Sequence, residues 1–111
     1  MKIDNHENFI IIKKTINNLE DFILSLNPKS NVQLSNKNVI IDILEFDGFS
    51  LEKLYLFFEL AAIYRKSNNS FVIVNNQINL NEIPDEIFVV PSLQEAEDII
   101  EMEIIERELG M

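Results

Sequence analysis

No cysteine occurs among the 111 residues of this chain, which excludes disulfides, zinc ribbons and thiol chemistry. Histidine is almost as scarce. His6 stands alone, leaving no multi-histidine metal site and hardly any room for a Ser-His or histidine acid–base mechanism. Glycine is limited to Gly48 and Gly110, so no glycine-rich loop exists to cradle a phosphate. Bases are few: nine Lys and Arg face nineteen Asp and Glu, for a net charge of −10. Nucleic acid and anionic membrane both demand cationic neutralisation of phosphate and are not expected partners. Apolar runs are short. Phe9–Ile12 and Ile87–Val90 fall far below the roughly 20 residues of a membrane span. Residues Met1 to Asn8 contain no apolar segment of the secretory kind, so a cytoplasmic protein is expected. No cofactor and no metal are expected.

What is present is an ordinary globular composition, 47% hydrophobic and 25% charged. A chain of this length fits one domain, residues 1–111, since domains commonly run ~100–150 residues. Fourteen asparagines and eighteen isoleucines supply β-branched core filler and turn-tolerant polar positions. Charge is uneven. Residues 1–55 hold eight acids and six bases, whereas residues 56–111 hold eleven acids and three bases. From Glu82 to Glu108 there are ten acids and only Arg107 opposite them, either a solvated helix face or a surface that steers a basic partner.

Periodicity predicts the elements. Ile3–Glu7 and Asn8–Lys14 read as two strands, the second carrying the apolar run Phe9–Ile12. Thr15 is placed to cap a helix in which Ile16, Leu19, Ile23 and Leu26 recur at helical spacing, closed by Asn27-Pro28. Val39–Leu44 is apolar at nearly every position and reads as a central strand. Ser50 caps a helix predicted from Leu51 to Lys66, and Phe71–Val74 is the next buried strand. Gln77–Asp85 is irregular, with room for one helical turn. Ile87–Val90 is a last strand, and Ser92 opens a final helix from Leu93 to about Leu109, with Glu95 at the capping-box position and Gly110 as a stop. The order β-β-α-β-α-β-(short α)-β-α predicts an α/β fold: a mixed β-sheet of about five strands with helices packed against it.

From Val39 onward this pattern resembles the STAS domain, the fold of bacterial anti-sigma factor antagonists. The matching parts are the strand Val39–Leu44, the acidic turn Glu45–Phe49, the helix opening at Ser50, the strand Phe71–Val74, the irregular crossover, the strand Ile87–Val90 and the helix opening at Ser92-Leu93-Gln94-Glu95-Ala96. In that family an Asp-Ser-Ser-Gly motif at a helix start carries a serine whose phosphorylation switches partner binding. A helix N-terminus favours such an anion. Here the turn reads Phe46-Asp47-Gly48-Phe49-Ser50-Leu51-Glu52, which places Ser50 near the motif's aspartate and Glu52 near its serine. The resemblance therefore implies a STAS-like fold without the phospho-switch, Glu52 offering a weak, constitutive carboxylate in place of a phosphate. Ser50 is a plain N-cap or, alternatively, a phosphorylation site. The ending Val90–Glu103 also resembles small bacterial proteins encoded beside ribonuclease Z. That nuclease needs a His-x-His-x-Asp-His cluster for two zinc ions, and this chain has His6 alone, so the resemblance implies an accessory or an unrelated regulatory role rather than nuclease chemistry.

Two helices carry more apolar side chains than one face requires. In the 51–66 helix, Leu51, Leu54, Tyr55, Phe58, Ala61 and Ala62 are assigned to the sheet, and Leu56, Phe57, Leu60, Ile63 and Tyr64 to a second face. In the last helix, Leu93, Ala96, Ile100 and Ile104 form the core stripe, and Ile99, Met102, Ile105 and Leu109 another bordered by glutamates. These spare faces either cover neighbouring parts of the chain or form a protein–protein surface, a two-fold homodimer being the simplest. Elsewhere, Asp42 lies mid-strand and reads as a sheet-edge acid or a buried one. Glu97 and Glu101 share a helix face without converging ligands, and His6 reads as exposed. The candidate partner-binding residues are Asp47, Phe49, Ser50 and Glu52 in the turn, with Leu56, Leu60, Ile63, Ile99, Met102 and Ile105 on the helices. The expected function is non-enzymatic regulation through a protein partner. The alternative is a sensor holding a nucleotide or lipid between a helix start and the 77–86 segment.

Overall fold

Four runs rich in β-branched residues build the parallel part of the sheet: β2 (Ile10–Lys13), β3 (Val39–Asp42), β4 (Phe71–Val74) and β5 (Phe88–Val90). β1 (Lys2–Asn5) pairs antiparallel with β2, Ile3 opposite Ile12, through a turn closed by the His6 amide on the Phe9 carbonyl (2.9 Å). The computed structural model of the chain describes residues 1–15 and 18–110. The strands lie in sequence order, β1-β2-β3-β4-β5, with Ile12 beside Ile41, Ile41 beside Ile73 and Ile73 beside Val89. Expectation and structure agree on an α/β fold with a five-stranded mixed sheet.

Sequential order has a consequence for layering. Each β-to-β crossover in the parallel part steps in the same direction, and strand twist fixes its hand, so the connections all fall on one face of the sheet. On that face α1 (Leu19–Ser25), α2 (Leu51–Leu54) and α3 (Phe58–Lys66) bury Leu19, Phe22, Leu26, Leu54, Phe57, Ala61 and Tyr64 against Ile12, Ile41 and Ile73. The opposite face is left to a single element. α4 (Leu93–Glu108) lays Ala96 and Ile100 on Ile40, Val72 and Val74, with Leu93, Ile99 and Ile104 half-buried around them. Two-sided burial explains why the central strands are apolar throughout rather than alternating.

The expected 51–66 helix is broken. A 3₁₀ turn over Tyr55–Phe57 separates α2 from α3. Leu54, Phe57, Ala61 and Tyr64 recur at steps of three and four residues, so across the break they keep one stripe on the sheet side, with Leu60 at its edge. This corrects the face assignment: Phe57, Leu60 and Tyr64 belong to the core, whereas Tyr55 is 53% exposed. The Tyr64 hydroxyl donates to the Leu26 carbonyl (2.7 Å), tying α3 to the end of α1. Its burial pushes that hydroxyl's pKa well above the ordinary value.

Element ends also shift. Asn18, not Thr15, caps α1, its Oδ1 accepting from the Asp21 amide (3.1 Å); Ile16, expected in that helix, lies outside the described residues. β1 ends at Asn5 and β2 begins at Ile10, shorter than expected, because the intervening turn consumes the residues between. β3 stops at Asp42, whose Oδ1 accepts from the Leu44 amide (3.1 Å), a side-chain turn that diverts the backbone from the sheet. The 77–85 crossover contains one 3₁₀ turn, Leu80–Glu82, as its composition allows. Ser92 caps α4 as expected, accepting from the Glu95 amide (3.2 Å), and Gly110 takes a positive φ of 76° just past its end.

Candidate functional site

At the carboxyl ends of β3 and β4 the chain builds one organised, exposed turn. Asn75 anchors it. This residue is fully buried just past β4; its Nδ2 donates to the Ile43 carbonyl (3.0 Å) and its amide to the Val90 carbonyl (2.9 Å), joining the ends of three strands. Asn75 Oδ1 accepts from the Gln77 amide (2.8 Å), aiming the Gln77 side chain back at residues 46–49. There Gln77 Oε1 accepts from the amides of Gly48 (3.0 Å) and Phe49 (3.2 Å), while Nε2 donates to the Phe46 carbonyl (2.6 Å). Gly48 supplies the positive φ of 75° that lets these amides converge. Lys53 Nζ donates to the Gly48 carbonyl (2.9 Å) and, with Lys14 Nζ, flanks the Phe46 ring at 5.2 and 4.7 Å from its centre.

The turn distributes its expected contact residues unequally. Asp47 and Glu52 are exposed. Phe49 is not: it is buried with its ring edge-on to Phe46 (6.1 Å) and Phe57 (6.2 Å), so it pins the turn to the core. Ser50 is half-buried, and its Oγ accepts from the Lys53 amide (3.3 Å), the N-cap role anticipated for it. Beside the turn lies a recess of about 150 Å³ lined by Lys13, Lys14, Asp42, Glu45 and Phe46, with Lys13 paired to Glu45 (3.2 Å).

The helix faces separate as well. Leu56 is exposed and Ile63 half-buried, bordering a shallow groove with Ile23 and Leu24 of α1. Leu60 is only 4% exposed, which corrects its expected place on the outer surface; it belongs to the main core, with α1 beside it. On α4, Ile99 packs at the edge of the second core, while Met102 and Ile105 stand 55% and 56% exposed. The spare faces of α3 and α4 do not cover each other, because these helices pack on opposite faces of the sheet.

The remaining sequence candidates resolve simply. Asp42 is half-buried and serves the turn after β3. His6 is exposed, stacked on Phe9 at 4.7 Å and bonded to Asp4 (3.1 Å). Glu97 and Glu101 lie on α4, and among the described residues no three His, Cys, Asp or Glu side chains gather where they could hold a metal ion. Gln77, Asn75 and Lys53 organise the turn yet were not singled out in the sequence. Two of them lie around an irregular crossover, where no periodicity marks a side chain that folds back, and Lys53 reads as an ordinary surface lysine of a helix. No helix among the described residues is long and apolar enough to cross a membrane. No protein-family model and no curated protein matches the chain.

Proposed function

We propose that this chain is a non-enzymatic, cytoplasmic interaction and regulatory domain of the STAS type, working without a phospho-serine switch. The observation that carries the reading is apolar surface left outside after both cores close. Leu24, Tyr55 and Leu56 are exposed on the helices of one face, and Met102, Ile105 and Leu109 on the helix of the other. Side chains of this size are the usual material of protein contacts. The organised turn at residues 46–52 adds a surface at the edge where the STAS resemblance places partner binding. Asp47 and Glu52 offer standing negative charge there, and the Ser50 hydroxyl is engaged in capping.

Size favours this over ligand sensing. The recess beside the turn holds about 150 Å³ and the one along Leu80, Ile83 and Pro84 about 210 Å³, both below the ~300–1,000 Å³ of common small-molecule sites. Affinity capture from native cytosol tests the proposal. The intact chain is expected to retain a stoichiometric protein that Leu56→Glu, Ile105→Glu or a double Asp47→Lys, Glu52→Lys variant releases. Ribonuclease Z in the captured material would mark the accessory form of the same role. Failure to retain any protein, joined to a thermal shift on adding nucleotide or lipid, would replace it with the sensor.

A further inference from the structure

The outer face of α4 carries an apolar rib set in acid. Met102, Ile105 and Leu109 follow one another at steps of three and four residues, so they align along the helix, 55%, 56% and 67% exposed. Asp98 extends the same line by one turn. At 100° per residue, Glu101 and Glu108 fall on one side of the rib and Glu95 and Glu106 on the other, and all five carboxylates are exposed. The one base of this helix cannot temper them from outside. Arg107 turns inward, its guanidinium donating to Ser70 Oγ and Asn38 Oδ1 (3.3 Å each) at the amino ends of β4 and β3. The ion pairs His6–Asp4 and Lys13–Glu45 lie on other elements.

Two facts decide what can cover such a surface. The rib is apolar and about two turns long, roughly 10 Å at 1.5 Å per residue, the footprint of one helix laid against another. The charges that α4 sets along its borders are all acids, on a chain of net charge −10, although Glu106 shares a recess with Arg65 of α3. A second copy would bring the same carboxylate rows face to face across a two-fold axis, a like-charge contact that opposes pairing. A partner of opposite sign meets both demands. We propose that the outer face of α4 docks a cationic amphipathic helix, with apolar side chains at i, i+3 or i+4, and i+7 bordered by Lys or Arg. The proposal rests on the reading of this chain as an interaction domain and names the partner chemistry for one of its surfaces. Apolar contact supplies the seat, and the acid rows supply encounter rate, orientation and selectivity.

Fluorescence anisotropy with the full chain tests it. The probe is a labelled helical peptide of about fifteen residues bearing leucines at that spacing and lysines elsewhere; a glutamate-bordered version and a scrambled lysine peptide serve as comparisons. Saturable binding to the first alone is expected, weakened about tenfold by Ile105→Glu and within about twofold of unchanged in Val32→Glu, an exposed apolar position between α1 and β3. The double variant Glu101→Gln, Glu108→Gln is expected to lower the salt dependence of binding. Ile105 is already more than half exposed, so circular dichroism of Ile105→Glu should match the parent. Equal binding of the scrambled peptide, or of the basic peptide to Ile105→Glu, would reduce the effect to bulk charge and overturn the assignment. A dimer in light scattering that Ile105→Glu dissolves would give the face to a second copy instead. If no peptide binds while cytosolic capture through the turn succeeds, the α4 assignment falls and the interaction reading stands.

Discussion

Tyr64 shows how much one hydroxyl can do in a small core. Its ring fills the space between α3 and Phe71, and its hydroxyl supplies the hydrogen bond that the Leu26 carbonyl, at the end of α1, would otherwise lack. Removing the hydroxyl in Tyr64→Phe leaves that acceptor unpaired, at a cost of about 1–3 kcal/mol in urea unfolding. The same group makes stability depend on alkaline pH. Burial disfavours the phenolate, so the folded chain holds its proton to higher pH than the unfolded one. Its contribution is complete below the unfolded value near pH 10 and is lost as pH climbs beyond it, by about 1.4 kcal/mol per unit. Denaturation of the parent and of Tyr64→Phe at pH 9 and 11 should show the gap between them narrow at the higher pH. Single residues were also where sequence reading was least secure. Leu56 and Leu60 look alike on a helical projection, yet one is exposed and the other sealed in the core beside α1, and where a neighbouring helix comes to rest leaves no mark in the local sequence.

Among the elements, those with caps and apolar repeats were readable in advance. Ser50, Ser92 and Gly110 do what their types suggest, and every expected strand is present in the anticipated order. The turn at residues 46–50 was legible only as a turn. Its rigidity comes from Gln77, some thirty residues away, and a long-range side-chain bond of that kind leaves no pattern along the chain. Gln77→Ala removes partners from two amides and one carbonyl at once. Where these groups reach water the loss is moderated, so about 1–2 kcal/mol of stability is expected to go. The local effect should be larger than the global one. Hydrogen exchange at the Gly48 and Phe49 amides should quicken, while exchange in β3 and β4 should change little.

For the whole molecule, charge and layering matter most. The acids of α4 repel one another in a chain of net charge −10, and this helix alone seals the second face of the sheet. Salt screens such repulsion, so raising sodium chloride from about 0.02 to 0.5 M should raise the melting temperature, by roughly 2–5 °C for a gain near 0.5–1 kcal/mol. An unchanged or lowered midpoint would show that the acid rows cost the fold nothing. α4 follows every strand in the chain and lays Ala96 and Ile100 over Ile40, Val72 and Val74. A chain cut before Leu93 would leave that side of the sheet bare to water, an apolar surface open to self-association.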